Sequence, residues 1–487
     1  MRKIIFTISI LLLISCSVYA QKETYWWFFG RNAGLNFKDT QTVNTQYGAI
    51  SGIPSFARGP INTYEGCFTI SDKDGNFLFA SDGMTVYNKN MDVMANGTGL
   101  HGNLSSTQSG IVIPIPNTPG KYYLLAVPAF NNSAAGLTYS VVDLSLNGGL
   151  GAVIQKNVKL SLAPLTDSKV AENLAVVGHA NGSDFWLASR IATKFYVWHV
   201  TQHGFSAPST YEVGPSIRGQ GTLRISSDGT KLVHVDHYNW ATNVKNLTYA
   251  DFNTDTGEIR NIRNYETGIR NIYGVEFSPN GKYLYITTAN GAETELRGLF
   301  IKPTDNLNAP YTSIMNVKSF NVQLGAGGRI YGIQSGNTSL WCILNPDEGG
   351  SQMVEIKNFF PTNALPELGL PPFVTSFFIP GELILDPPSV CRNVPKPFSI
   401  RINTGSGINS VTKIEWDFGD GSPKIIETDM NKQEYVQSHI YKNAGAYTFT
   451  LTPYRSDGSP LSDKIIKKEI IVGNCAIPVN HNIINMN

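Results

Sequence analysis

VEFSPNGKYLYITT (275–288) reads as a β-hairpin: an apolar strand, a Ser-Pro-Asn-Gly turn, then a strand of aromatic and β-branched residues. Asn-Gly supplies the positive φ that folds two strands back on each other. The pattern recurs as CFTISDKDGNFLFAS (67–81), IVIPIPNTPGKYYLLAV (111–127), LAVVGHANGSDFWLAS (174–189), TLRISSDGTKLVHV (222–235) and VQLGAGGRIYGI (322–333). The turn glycines Gly75, Gly120, Gly182, Gly229, Gly281 and Gly328 stand 45 to 62 residues apart, which suits one four-stranded blade per repeat. Isolated, each blade would leave two apolar faces in water, so a closed ring of blades is the arrangement that buries them all.

Six repeats are visible, and residues 24–380 are long enough for about seven at that period. YWWFFG (25–30) and the GLNF that follows read as strands without partners, and FVTSFF (373–378) as a lone strand. Pairing the first and last strands in one blade would close the ring. The expectation is an all-β chain with a seven-bladed β-propeller over 22–380, six blades being the alternative. LTYSVVDLSL (137–146), FYVWHVT (195–201), NLTYADFNTDTGEI (246–259) and GLFIKP (298–303) supply third or fourth strands. Helical periodicity is missing throughout, which argues against an α/β enzyme core.

The pattern changes at PGELILDPP (380–388), a proline-rich linker. EWDFGDGSP (415–423), SHIYKNAGAYTFTLTPY (438–454) and KKEIIVG (467–473) follow it. This stretch resembles the PKD domain, an immunoglobulin-like β-sandwich, here assigned to residues 381–475. The resemblance implies that Trp416 and Phe418 point inward while Asp417, Gly419, Asp420 and Gly421 form the turn. It places Tyr441, Tyr447, Phe449 and Leu451 in the later core strands.

The earlier segments NTYEGCFTISDKDGNFLFASDGMTVYNKN, MANGTGLHGNLSSTQSGIVIPIP and ELGLPPFVTSFF resemble a propeller module of Bacteroidota surface and gliding-associated proteins. The resemblance implies an envelope location, and in that family a sorting domain follows the sandwich. Here residues 476–487 form a short tail, too short for such a sandwich.

Arg2 and Lys3 followed by the apolar run 4–14 read as a signal peptide over residues 1–20. Two processing sites compete. Val18-Tyr19-Ala20 suits cleavage before Gln21, whereas Leu13-Ile14-Ser15-Cys16 reads as a lipobox that would lipidate Cys16. The expected location is extracytoplasmic: periplasm, outer-membrane surface or secreted, with a membrane contact through a lipid anchor alone. Cys391 and Cys475 bracket the sandwich and are the natural disulfide in an oxidising compartment. Cys67 and Cys342 read as buried thiols, a bridge between them being the alternative. Net charge is +1 with scattered lysines and arginines, which argues against nucleic acid as a partner.

Catalytic signatures are sparse. Asp72, Asp74 and Asn76 imitate the opening of a calcium loop but lack its terminal glutamate, so a hairpin turn is the expected role. Asp417 and Asp420 invite the same comparison; calcium is the minority reading and no other cofactor or metal is expected. His199 and His203, and the cluster His234, Asp236 and His237, fall short of the ligands zinc needs. Ser105, Ser106, Thr107 and Ser109 form a polar lead into a strand. No phosphate loop or nucleophile elbow occurs.

The candidate surface follows from architecture, because innermost strands and the loops leading into them line a propeller's channel. Those loops carry Glu65, Gln108, Gln220 and Tyr273. Arg224, Glu276 and Gln323 each stand two residues before the serine or glycine that begins the turn. These seven form the candidate binding set, the competing role being to solvate the channel and satisfy neighbouring backbone groups. Tyr238 and Trp240 could stack on a sugar or a partner. The expected function is a non-enzymatic envelope protein binding a protein or surface glycan. The alternatives are a polysaccharide-active enzyme and a structural part of a type IX secretion or gliding assembly.

Overall fold

A computed structural model describes residues 22–474, except 131–135, 162–169, 215–218, 238–244, 290–297, 351, 379–389, 401–410, 431–434, 456 and 462–464. The signal peptide, Cys16, Tyr238, Trp240 and Cys475 therefore lie outside the described residues. Among those described, the regular elements are β-strands and short 3-10 turns, and no helix is long and apolar enough to cross a membrane.

The hairpins form where the sequence puts their turns. All six turn glycines adopt positive φ, from 71° at Gly281 to 79° at Gly328. At Gly229 a Cβ would also approach Thr254 Cγ2 to 2.5 Å, so glycine is required there twice over. In several turns the opening residue lends a side-chain acceptor. Ser226 Oγ accepts from Lys231 N at 2.9 Å, and Ser278 Oγ from Tyr283 N at 3.0 Å. Asp72 Oδ1 takes the Asp74 and Asn76 amides, which makes SDKDGN the hairpin turn expected of it.

The hairpins extend into small antiparallel sheets that pack face to face, a β-propeller-like arrangement. Three sheets have four strands in simple sequence order, running 223–265, 272–315 and 320–356. A fourth, over 175–212, adds a fifth strand. The strands of 68–98 and 110–159 merge into one eight-stranded sheet through the single parallel pair Ala95–Ala152.

The first sheet differs from expectation. Trp26–Phe29 pairs with Ala33–Thr45, which pairs in turn with Gly48–Phe56, so these strands are partners of one another. Trp26–Phe29 packs on Phe68–Ser71 as the second strands of later sheets pack on the next inner strand. The inner place of this sheet is therefore open to another segment.

Residues 373–378 correct the expectation of a lone closing strand. Thr375–Phe378 is a 3-10 turn, and residues 366–375 are buried without a break although none lies in a strand. Pro371 and Pro372 carry no N–H and Thr375–Phe378 is wound into the 3-10 turn, so little of this stretch is left to form a ladder against Trp26–Phe29. It packs instead through side chains, Phe373 lying 6.1 Å from Trp27. Leu368 N donates to Tyr64 O, Asn321 Nδ2 to Leu368 O, and Gly178 N to Ser376 Oγ. The segment thus starts beside the loops that lead into the inner strands and ends beside the far end of one of them. It fills the space the inner strands surround.

One apolar cluster closes the arrangement, joining Trp27, Phe29 and Phe37 of the first sheet to Tyr331, Leu340 and Cys342 of the last. Cys67 and Cys342 are free and buried in it, as thiols rather than a bridge. Burial pushes the Cys342 thiol up to about 12 and the Cys67 thiol higher still.

The second domain has a five-stranded sheet, which includes Lys413–Asp417, Gly445–Tyr454 and Ile466–Gly473, and the pair Lys396–Ile400 with Tyr435–His439. Trp416, Phe418, Tyr441, Phe449 and Leu451 fill its core, and Tyr447 packs against them. Gly419 has φ 75°, and a Cβ there would meet Thr448 O at 2.3 Å. Asp417 Oδ1 accepts from Gly419 N, and Asp420 Oδ1 from Ser422 N. His439 stacks on Phe418 at 4.0 Å and meets Asp420 Oδ2 at 2.8 Å. Cys391 pairs beside Gly473, two residues short of Cys475.

Candidate functional site

The seven candidate residues separate into two levels. Arg224, Glu276 and Gln323, on three successive inner strands, come together as the sequence register implies. Arg224 Nη2 donates to Gln323 Oε1 at 2.9 Å, and Arg224 Nε lies 3.4 Å from Glu276 Oε2. Glu276 also accepts from Phe277 N and Leu324 N, and Arg224 Nη1 donates to Leu223 O. All three side chains are buried. Burial outweighs the pair's own attraction, raising the Glu276 carboxyl and lowering the Arg224 guanidinium. The triad is satisfied from within and acts as a polar tie between sheets.

Gln108 is a tie of the same kind. Its Nε2 donates to Leu174 O at 3.0 Å, and its Oε1 accepts from Leu223 N at 3.0 Å, linking three inner strands. Gln220 is half-buried, and its carbonyl accepts from His237 N.

Glu65 and Tyr273 belong to the other level, at the mouth, and they bring in residues that the sequence reading passed over. Glu172 is 1 % exposed. Its Oε2 accepts from Thr107 N and Thr107 Oγ1, each at 2.9 Å, and its Oε1 from Phe130 N at 2.9 Å. Glu65 lies near enough for the Glu172 charge to act on it. Burial first and that charge second push the Glu65 carboxyl up to about 8, so at neutral pH it is mostly protonated. Burial also raises Glu172, against the bonds from Phe130 and Thr107.

Tyr273 is 2 % exposed and feels both carboxyls, and burial above all raises its hydroxyl far above the ordinary value. Its ring meets His237 edge-on at 5.6 Å, and burial holds that imidazole low. Glu65 Oε2, Ser106 Oγ and Ser109 Oγ are enclosed without a hydrogen-bond partner, while the Tyr273 hydroxyl has the Thr107 side chain within reach. Leu368 and Ala289 pack on Tyr273 in a small buried apolar cluster.

A signal for the missed residues exists in the repeat itself. Glu65, Thr107, Glu172 and Gln220 each stand three residues before the first inner-strand residue, Phe68, Gly110, Ala175 and Leu223 respectively. Aligning the repeats on strand starts rather than turn glycines brings them into one column.

Among the described residues, no three His, Cys, Asp or Glu side chains stand together to hold a metal. His199 meets Asp184 Oδ2 at 3.1 Å and leans on Trp186, a local turn contact.

Residues 386–469 match the PKD domain family. No curated protein matches the chain in sequence. Several solved structures are similar in fold. A candidate 6-phosphogluconolactonase from Bacteroides uniformis is 13 % identical, covering 68 % of this chain and 94 % of its own, with a TM-score of 0.43. A second, from Bacteroides fragilis, is 12 % identical over 71 % of this chain and 97 % of its own, at a TM-score of 0.44. The extracellular domain of a candidate one-component system from B. thetaiotaomicron is 12 % identical over 93 % of this chain and 55 % of its own, at 0.35. None of these likenesses assigns an activity.

Proposed function

We propose that the chain is an extracytoplasmic, non-enzymatic binding protein of the cell envelope. Its propeller is the recognition platform, and its PKD domain a spacer or second contact. The reading counts seven blades, taking the eight-stranded sheet as two joined by one bridge and the three-stranded sheet as one completed by residues 370–378. A leader at 1–20, processed at Ala20 or at Cys16, would deliver it, and a Cys391–Cys475 bridge would tie the ends of the sandwich.

The observation that supports binding at the mouth is the contrast between the two levels. Arg224, Glu276 and Gln323 satisfy one another, whereas Glu65, Ser106 and Ser109 each keep an enclosed polar atom open. Enclosed polar groups ordinarily find partners, so a mouth that leaves three open is suited to receive them from a ligand. A protein or a surface glycan fits, and the balanced charge speaks against nucleic acid.

One observation favours a second reading, a polysaccharide-active enzyme. Glu65 is held mostly protonated beside Glu172, and two neighbouring carboxyls can serve as acid and base in glycoside cleavage. A glycan array, a hydrolysis screen and a pull-down from envelope fractions separate the readings. Binding or stoichiometric capture without turnover supports the first. Polymer cleavage lost in Glu65→Gln would replace it with the second, and neither capture nor cleavage would sink both.

A further inference from the structure

The hairpin joining Ala175–Gly178 to Phe185–Ile191 is held by a different atom from its relatives. Ser226, Ser278 and Asp72 open their turns with a side-chain oxygen that accepts backbone N–H groups, and Asp72 Oδ1 takes the Asp74 amide, two residues on, at 2.9 Å. His179 stands at the same place, three residues before the turn glycine Gly182. Its Nδ1 accepts from Asn181 N, again two residues on and at 2.9 Å. A neutral imidazole has one acceptor nitrogen, so the ring proton sits on Nε2. Protonating the ring makes Nδ1 a donor facing the Asn181 N–H, and the bond is lost. Between about pH 5 and 8 neither a serine nor an ordinary aspartate changes its hydrogen-bonding role, whereas a histidine does.

This turn is also a joint. Ala180 N and Trp186 Nε1 both donate to Thr254 O of the next sheet, at 2.9 and 2.8 Å. Gly178 N donates to Ser376 Oγ at 3.1 Å, in the segment that fills the centre. The His179 ring stacks on Trp186 at 5.1 Å, and His199 meets both, 4.9 Å from His179 and 4.8 Å from Trp186. A change at His179 therefore reaches its own hairpin, the neighbouring sheet and the central segment.

We infer that His179 is a pH-sensing latch: its neutral ring closes the 179–184 turn, and protonation in mild acid loosens the joint that this turn makes with Thr254 and Ser376. The inference does not depend on what the mouth binds. Asp184, on the same hairpin, is engaged by His199 Nε2 at 3.1 Å and by Asn181 Nδ2 at 2.8 Å. Asp255 faces the ring from the next sheet. Asp228, on the neighbouring turn, is taken up by Ser226 and Thr230, and Glu258, next to the Gly257 that the Trp186 ring covers, pairs with Arg260. The central segment brings the neutral Ser376. Burial first and His199 second hold the His179 imidazole below its ordinary value, against Asp184 and Asp255. The closed turn thus disfavours the proton, while an open one binds it at an ordinary value of about 6.5, so acid moves the population toward the open form.

Hydrogen exchange of the full chain at pH 7.5 and 5.5, read by mass spectrometry and corrected for the intrinsic pH dependence of amide exchange, tests this. The opening constant of peptides covering 174–189 and 250–258 should rise by up to about tenfold at the lower pH, the limit set by protonating an open turn. The 222–235 hairpin, held by Ser226, should not respond. His179→Asn places an acceptor oxygen where Nδ1 stands but cannot titrate, so it should keep the turn closed and lose the response. His199→Gln keeps a donor toward Asp184 and should retain it. Circular dichroism and melting curves check that both variants are folded at both pH values.

An equal response in the 222–235 hairpin, a response that survives His179→Asn, or one lost in His199→Gln alone would overturn the inference. A long-range 1H–15N spectrum of the histidine-labelled chain at pH 7.5 gives a reading independent of opening. It should find the His179 proton on Nε2, and a proton on Nδ1 would also overturn the inference.

Discussion

Replacing Glu65 by glutamine should make the protein more stable at alkaline pH than at acid pH relative to the parent. The folded chain raises this carboxyl from an ordinary 4.5 to about 8, through burial first and Glu172 second. Between those values the folded state binds a proton that the unfolded chain has released. Its contribution is therefore full below about pH 4.5, declines as pH rises, and is gone above about 8. Converted at about 1.4 kcal/mol per pKa unit, the ceiling is about 5 kcal/mol. Water at the half-open mouth screens the charge, so roughly half of that is the realistic size.

Glutamine keeps the shape and does not titrate. The stability difference, variant minus parent, should grow by about 2–3 kcal/mol from pH 5 to pH 9. Urea unfolding of both proteins at pH 5, 7 and 9, followed through the propeller transition, reads this difference. Burial raises Glu23, Asp82 and Glu172 as well, and the paired comparison removes their common slope. Curves that stay parallel from pH 5 to 9, or a variant that loses ground as pH rises, would refute the reasoning.

Three further outcomes are expected. Phe373→Ala should cost about 3–5 kcal/mol in urea unfolding, because the ring fills a core shared by Trp27 and Phe378; a cost under about 1 kcal/mol would mean that residues 366–375 only lie over the inner strands. Arg224→Met should cost about 3–5 kcal/mol by leaving Glu276 buried and unpaired, and adding Glu276→Met should recover most of it, a non-additivity that a double-mutant cycle measures. Cys67 and Cys342 should resist thiol reagents in the native protein and react on unfolding, since burial keeps both thiols protonated; mass mapping after brief alkylation checks this.

The hairpins and the PKD motif are legible in sequence because their causes are local. Gly229 and Gly281 need positive φ within a few residues of the strands they join, and Ser226 or Asp72 accepts bonds from amides no more than five residues away. WDFGDG carries its own turn bonds. The register of Arg224, Glu276 and Gln323 was legible for the same reason, since a repeated offset from the turn puts them level on neighbouring strands.

What the sequence could not show depends on residues that meet through the ring. FVTSFF has strand composition, but its last four residues wind into a 3-10 turn, and its shape is set by the space the inner strands leave. Thr107 and Glu172 are 65 positions apart and bond only because consecutive sheets stand side by side. Glu65 is an unremarkable acid in the loop TYEG; packing beside Glu172 and Tyr273 takes it out of water and shifts its proton. Turn geometry is fixed by a few neighbouring dihedrals and can be read along the chain. Desolvation and charge coupling depend on which distant groups share an enclosure, and that is decided when the sheets close on residues 366–375.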